Sequence, residues 1–213
     1  QKLSAAYVSF VIVNLQLKIS IRYFSHIRTV IDENGNKKKD YYHKVLEAKI
    51  VLSDNLILSL GTEFIENESE NVSKQDCELA AAKRLLARIK KEYKRLQICL
   101  LGDALYCVEP VMKICRDNEW KYIFNLKEGN QKNVVNDYRW ISNGGAKNTM
   151  KCISAEHGIG GYINHVEETT GKTETFNVFE YEYTKIIKKR KVKVCFMWAT
   201  NIEIKDRNLE ELI

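Results

Sequence analysis

The stretch Gln97–Tyr106, QICLLGDALY, decides how the rest of the chain is read. Its apolar run, Ile98–Leu101, suits a short buried strand, Gly102 ends the run, and Asp103 follows at the carboxyl end. An amphipathic helical pattern, Ser73–Tyr93, precedes it. A second helix (about Cys107–Asn118) and another apolar run, Trp120–Leu126, follow. Strands separated by helices are what parallel pairing requires. In such sheets ligands and chemistry sit at the carboxyl ends of the strands. Asp103 is therefore a candidate metal ligand, and the competing reading makes it the N-cap of the next helix.

Upstream, Tyr7–Leu17 and Lys18–Phe24 are rich in β-branched and aromatic residues and read as consecutive β segments. Asp32–Asp40 is a polar turn around Asn34-Gly35, a step that closes hairpins. Tyr41–Leu60 then reads as two strands joined at Ser53-Asp54-Asn55. The acidic stretch Gly61–Asn71, with Glu63, Glu66, Glu68 and Glu70, is taken as a solvated loop rather than a metal cluster. Ser73 and Asp76 imitate a capping box for the helix that follows, with Leu79, Ala82, Leu86, Ile89 and Tyr93 as its buried stripe. Its other side is basic, carrying Lys83, Arg84, Arg88 and Lys91. That side suits DNA phosphates, and it equally suits an ordinary solvated helix face.

Downstream, Pro110 stands in the first turn of the second helix, where proline is accepted. The order to this point is β-β-β-α-β-α-β, which predicts a mixed sheet with helices on both faces. From Asn143 glycines punctuate short apolar segments: Cys152–Glu156, Tyr162–Glu167, Thr175–Tyr183 and Lys191–Ala199. This is a β-rich region, and HGIGG at His157–Gly161 opens no helix after a strand, so it is a very weak nucleotide-loop signal. Lys185–Lys193, KIIKKRKVK, is the most basic run, read either as a nucleic-acid contact or as a charged hairpin turn. Asp206 reads as the N-cap of a helix starting at Arg207.

Composition narrows the classes. With 213 residues, 45% hydrophobic and 29% charged, the chain suits a soluble globular domain, or one domain with an insertion. A core of that size needs no disulfide or structural metal. The net charge of +6 leans mildly toward a polyanionic partner. The six cysteines form no CxxC pair and the four histidines no ligand spacing, so zinc is not expected and buried free thiols are. Tyr7–Leu17 falls short of the roughly 20 apolar residues of a membrane span and lacks a signal-peptide leader, so a cytoplasmic protein is expected. A start at Gln1 rather than Met, and an end barely inside a helix, read as a fragment.

Tyr41–Glu68, Ser73–Leu85, Gln97–Gly129 (QICLLGDALYCVEPVMKICRDNEWKYIFNLKEG) and Phe196–Ile213 together resemble the DDE transposases of bacterial insertion sequences. The resemblance is to the branch with a β-rich insertion between the second and third acidic residues. It covers roughly residues 22–213 and implies a ribonuclease H-like fold: a core over residues 1–142, the insertion over 143–200, and the start of the last core helix over 201–213. It also implies three carboxylates holding two Mg²⁺ ions that activate the attacking and leaving oxygens of a phosphodiester.

Asp103 matches the second of those carboxylates. Aligning Arg22-Tyr23-Phe24-Ser25 with the family's segment puts Ile19 where the first Asp would stand, and no acidic residue precedes Asp32. The third, a Glu on the last helix, would fall beyond Ile213, since Glu210 and Glu211 come too early. The chain as written is therefore expected to be an incomplete, inactive transposase. The alternatives are a non-catalytic DNA-binding remnant and an unrelated ribonuclease H-like nuclease. The expected partner is DNA at transposon ends, held by a homodimer, with the chain associated with the nucleoid. The expected contacts are Arg84, Arg88, Lys91, Lys188, Lys189 and Arg190. No helix-turn-helix is visible to read a specific terminal repeat.

Overall fold

The computed structural model describes residues 8–17, 26–53, 56–65, 77–151, 158–167 and 175–213. It is a mixed α/β structure, with two compact units covering Ser9–Leu96 and Gln97–Ile213.

In the first unit, β1 (Val8–Leu17) is followed by the hairpin of β2 (His26–Ile31) and β3 (Lys37–Ser53). The turn is the expected one. Asp32 Oδ1 accepts the N–H groups of Asn34 (2.9 Å) and Asn36 (2.8 Å), and Gly35 takes φ +83°, a conformation that favours glycine. The Asn36 N–H holds the Asp32 carboxyl below its ordinary value. β3 is long enough to pair antiparallel with β2 through His26↔Tyr42 and with β1 from Leu17↔His43. β4 (Leu56–Ile65) also pairs with it, antiparallel. Residues 18–25 and 54–55 lie outside the described residues.

Helix α1 (Glu78–Glu92) packs against β3 and β4. Its N-cap is Cys77, while the predicted capping pair Ser73 and Asp76 lies outside the described residues. The buried stripe is Ala81, Ala82, Leu85, Leu86 and Ile89. Leu79 is only half-buried, and Tyr93, expected in the stripe, is exposed because the helix has already ended.

The second unit opens with β5 (Ile98–Gly102), α2 (Glu109–Asp117), β6 (Lys121–Asn125) and α3 (Glu128–Asn143). It continues with β7 (Asn148–Lys151), β8 (Ile159–Glu167), β9 (Thr175–Ile187), β10 (Arg190–Thr200) and α4 (Asp206–Leu212). Its sheet has the order β5-β6-β10-β9-β8-β7. β5 and β6 are parallel, and the other pairs are antiparallel. The β-rich region thus continues the same sheet, with β10 lying directly beside β6. The predicted segment Cys152–Glu156 lies outside the described residues.

Adjacent residues of a strand face opposite sides, and β9 uses both. Phe179 joins Tyr162, Ile204, Leu209 and Leu212 in a buried cluster beneath α4. Glu180 faces the other way, toward Tyr138 of α3, whose hydroxyl is pushed up by burial and by that carboxylate. Helices therefore lie on both faces of this sheet. Helix α3 lies where the sequence pattern shows no helix. It is rich in asparagine, kinks at Gln131, and is held by the buried Val134, Val135 and Tyr138. Asp206 is the first helical residue of α4, not its cap. Lys205 takes the cap position, and its N–H donates to Asn208 Oδ1 (2.7 Å).

The link from β10 to α4 has no ladder, so side chains satisfy its backbone. Asn164 accepts the Ile204 N–H (3.0 Å) and donates to the Ile204 carbonyl (2.8 Å), as a paired strand residue would. Asn201 accepts the Tyr122 N–H (3.1 Å), and Thr200 donates to the Tyr122 carbonyl (2.6 Å). Cys99, Cys107 and Cys115 are buried as expected, and burial raises their thiols to about 11, about 12 and about 12. Cys195, placed by its apolar neighbours in the interior, is exposed instead, because it sits on the part of β10 that runs beyond β6. No helix among the described residues is long and apolar enough to cross a membrane.

Candidate functional site

Asp103 is the first residue beyond β5 and is exposed. Its Oδ1 accepts the N–H of Leu105 (2.8 Å) and its carbonyl that of Tyr106 (3.1 Å), an Asx turn that fixes the carboxylate at the strand's lip. α2 starts at Glu109 with Val108 as its cap, so Asp103 does not cap it. Gly102 serves a packing need more than a turning one. A Cβ there would lie 2.9 Å from the buried Tyr106 ring and 3.2 Å from Phe124.

Strand register relates this lip to the basic run. Gly102 is level with Phe124, and Asn125 is level with Trp198, so Asp103 lies at the level where β10 leaves β6. β10 is antiparallel to β6, so its amino-terminal half and the end of β9 project from the same end of the sheet as Asp103. Lys188 and Lys189 form the two-residue turn between the paired Ile187 and Arg190. That turn lies nine residues beyond Trp198, about 30 Å along the strand at about 3.4 Å per residue. The charged-hairpin reading of this run is the correct local description. Lys188, Lys189 and Arg190 are all exposed.

The α1 candidates belong to the other unit and are of two kinds. Arg84 Nε donates to Glu63 Oε1 (2.7 Å), and Arg88 Nη1 to Glu63 Oε2 (3.2 Å). Each guanidinium also donates to a carbonyl of β4, Arg84 to Phe64 (3.1 Å) and Arg88 to Thr62 (2.6 Å). Both arginines thus clasp α1 to β4. Lys91, on the last turn, is exposed. No local signal marks this clasp: the acidic-loop reading of Gly61–Asn71 leaves Glu63 in solvent, whereas it lies within β4. Glu66, Glu68 and Glu70 lie outside the described residues.

The described residues at this lip do not make up a two-metal centre. Among the described residues no three His, Cys, Asp or Glu side chains converge to hold an ion. Asp103 by itself offers a single carboxylate to an ion. The fold and this lip define the chain as a mixed α/β protein with an acidic residue at the carboxyl end of a parallel strand. No protein-family model matches it, and no curated protein does.

Proposed function

We propose that this chain is a DNA-handling domain of the DDE transposase class, ribonuclease H-like in fold, which as these 213 residues binds DNA without cutting it. One observation carries the reading: an exposed aspartate sits at the carboxyl lip of the first of two parallel strands. Four strands that pair antiparallel through β3, and a helix, precede it in chain order. Ligands favour that lip in α/β sheets. The block resemblance around Gln97–Gly129 matches this same aspartate to the second acidic residue of the motif. The lack of cutting is argued from the first acidic position, where Ile19 stands. DNA affinity rests on Lys91 and on Lys188, Lys189 and Arg190, the candidates whose charge is turned to solvent.

Two assays on the purified chain test this. Anisotropy with a labelled duplex is expected to show binding that weakens steeply with salt, as phosphate contacts do. Plasmid nicking with Mg²⁺ or Mn²⁺ is expected to stay at background, and to stay there for Ile19→Asp. Robust metal-dependent nicking would overturn the non-cutting half of the proposal, and absence of duplex binding at low salt would overturn the whole.

A further inference from the structure

We infer that the β9–β10 arm is a two-stranded ribbon that enters the major groove of duplex DNA, an inference that rests on the DNA-handling reading above. Among the described residues, 183–194 pair only with one another: β8 stops pairing with β9 at Glu182, and β6 pairs with β10 only over Trp198–Thr200. Every residue from 184 to 193 is exposed. A free two-stranded ribbon is one of the few protein shapes that the major groove, about 12 Å wide, admits.

The register distributes charge as a groove would ask. Lys185↔Val192 and Ile187↔Arg190 place two cations on one face, while Thr184↔Lys193 and Ile186↔Lys191 place two on the other. Lys188 and Lys189 add two at the tip, and no acidic residue lies between 183 and 194. Among the described residues, only Lys193 of these has a carboxylate partner, Glu182 at 2.7 Å. A ribbon lying flat on a strand of phosphates would need its cations on one face. Cations on both faces meet the two phosphate walls of a groove. Ile186, 70% exposed near the tip, is an apolar group of the kind that meets a thymine methyl.

The turn adds a second, independent observation. Lys188 (φ 46°) and Lys189 (φ 63°) both occupy the left-handed region, where a two-residue hairpin loop favours Asn-Gly. The loop carries charge at the two positions where turn chemistry alone would choose small residues. Strain kept at a protruding tip points to function there.

The test uses the full chain and a variant, Lys188→Asn with Lys189→Gly, whose loop suits the turn better while losing two charges. With the five ribbon cations other than Lys193 engaged, the wild-type log–log salt slope is expected near −4.5, an affinity loss of about 500-fold between about 50 and 200 mM salt. The variant is expected to melt no lower than wild type. Its slope should be shallower by about 1.8, and it should lose protection of guanine N7, a major-groove atom, from methylation. Unchanged slope and protection would overturn the ribbon while leaving DNA binding intact. Preference for a single strand over the duplex would overturn the groove in favour of stacking on the exposed Phe196 and neighbouring Tyr183. A wild-type chain that binds no duplex takes the underlying reading down with it.

Discussion

Replacing Thr200 by valine removes one hydroxyl and almost nothing else. Thr200 is fully buried; its Oγ1 donates to the Tyr122 carbonyl at 2.6 Å and accepts the Ile202 N–H at 3.0 Å. Valine fills the same space, so no cavity forms, and both bonds are lost where the backbone turns off β10. Each costs about 1 kcal/mol as a lost bond, rising to about 1–3 kcal/mol where the group is left buried and unsatisfied. Ile202 is half-buried, which places the total at about 2–3 kcal/mol. Unfolding a unit of roughly 120 residues carries an entropy near 0.25 kcal/mol per kelvin, so Tm should fall by about 8–12 °C. Differential scanning calorimetry reads this directly, with Thr200→Ser as the control that keeps both bonds. A valine variant melting within about 2 °C of wild type, on that same entropy scale, would refute the claim that this hydroxyl ties β10 to β6.

Other expectations follow from packing and charge. Gly158→Ala should destabilise the β8–β9 edge by about 2–3 kcal/mol or more, because its Cβ would meet the Glu182 carbonyl at 2.4 Å and the Tyr181 ring at 2.5 Å; urea titration measures it. Arg88→Ala should cost about 1 kcal/mol of stability, the pair with Glu63 being partly exposed, and should change duplex affinity less than about twofold. In thiol titration Cys77 and Cys195 should react in the native protein, Cys195 more slowly because partial burial and Glu180 raise its thiol. Cys99, Cys107 and Cys115 should react only in denaturant. Between their ordinary value of 9.0 and their folded values of about 11 to about 12, the unfolded chain has released protons that the folded chain retains. Stability therefore falls as pH rises through that window. The loss should be about 1.4 kcal/mol per thiol at about pH 10, read as a lower urea midpoint than at about pH 8.

What could be read from the sequence was whatever a local signal encoded. The Asn34-Gly35 turn, the apolar run Ile98–Leu101 and the alternation of Trp120–Leu126 all announce their structure. So does the placement of Asp103 at a strand's end. Helix α3 was hidden because EGNQKNVVNDYRWISN is poor in helix formers, and its stability comes from burying Val134, Val135 and Tyr138. The Lys185–Lys193 run signals a charged hairpin turn, but Lys188-Lys189 lacks the Asn-Gly signature of a two-residue loop, so the local pattern ends both strands short of the projecting ribbon. Arg84 and Arg88 looked solvent-facing because their partner, Glu63, lies 21 and 25 residues away in sequence.

Within the second unit, DNA should lie along the Asp103 lip and the β9–β10 arm. In a Cys77→Ser, Cys152→Ser, Cys195→Ser background, Asp103→Cys carries a tethered iron–EDTA group that cuts any DNA held nearby. Bound duplex should be cleaved at one focused patch from position 103, with cleavage fading as salt releases the complex. Duplex that is demonstrably bound, yet left uncut from position 103, would contradict the account.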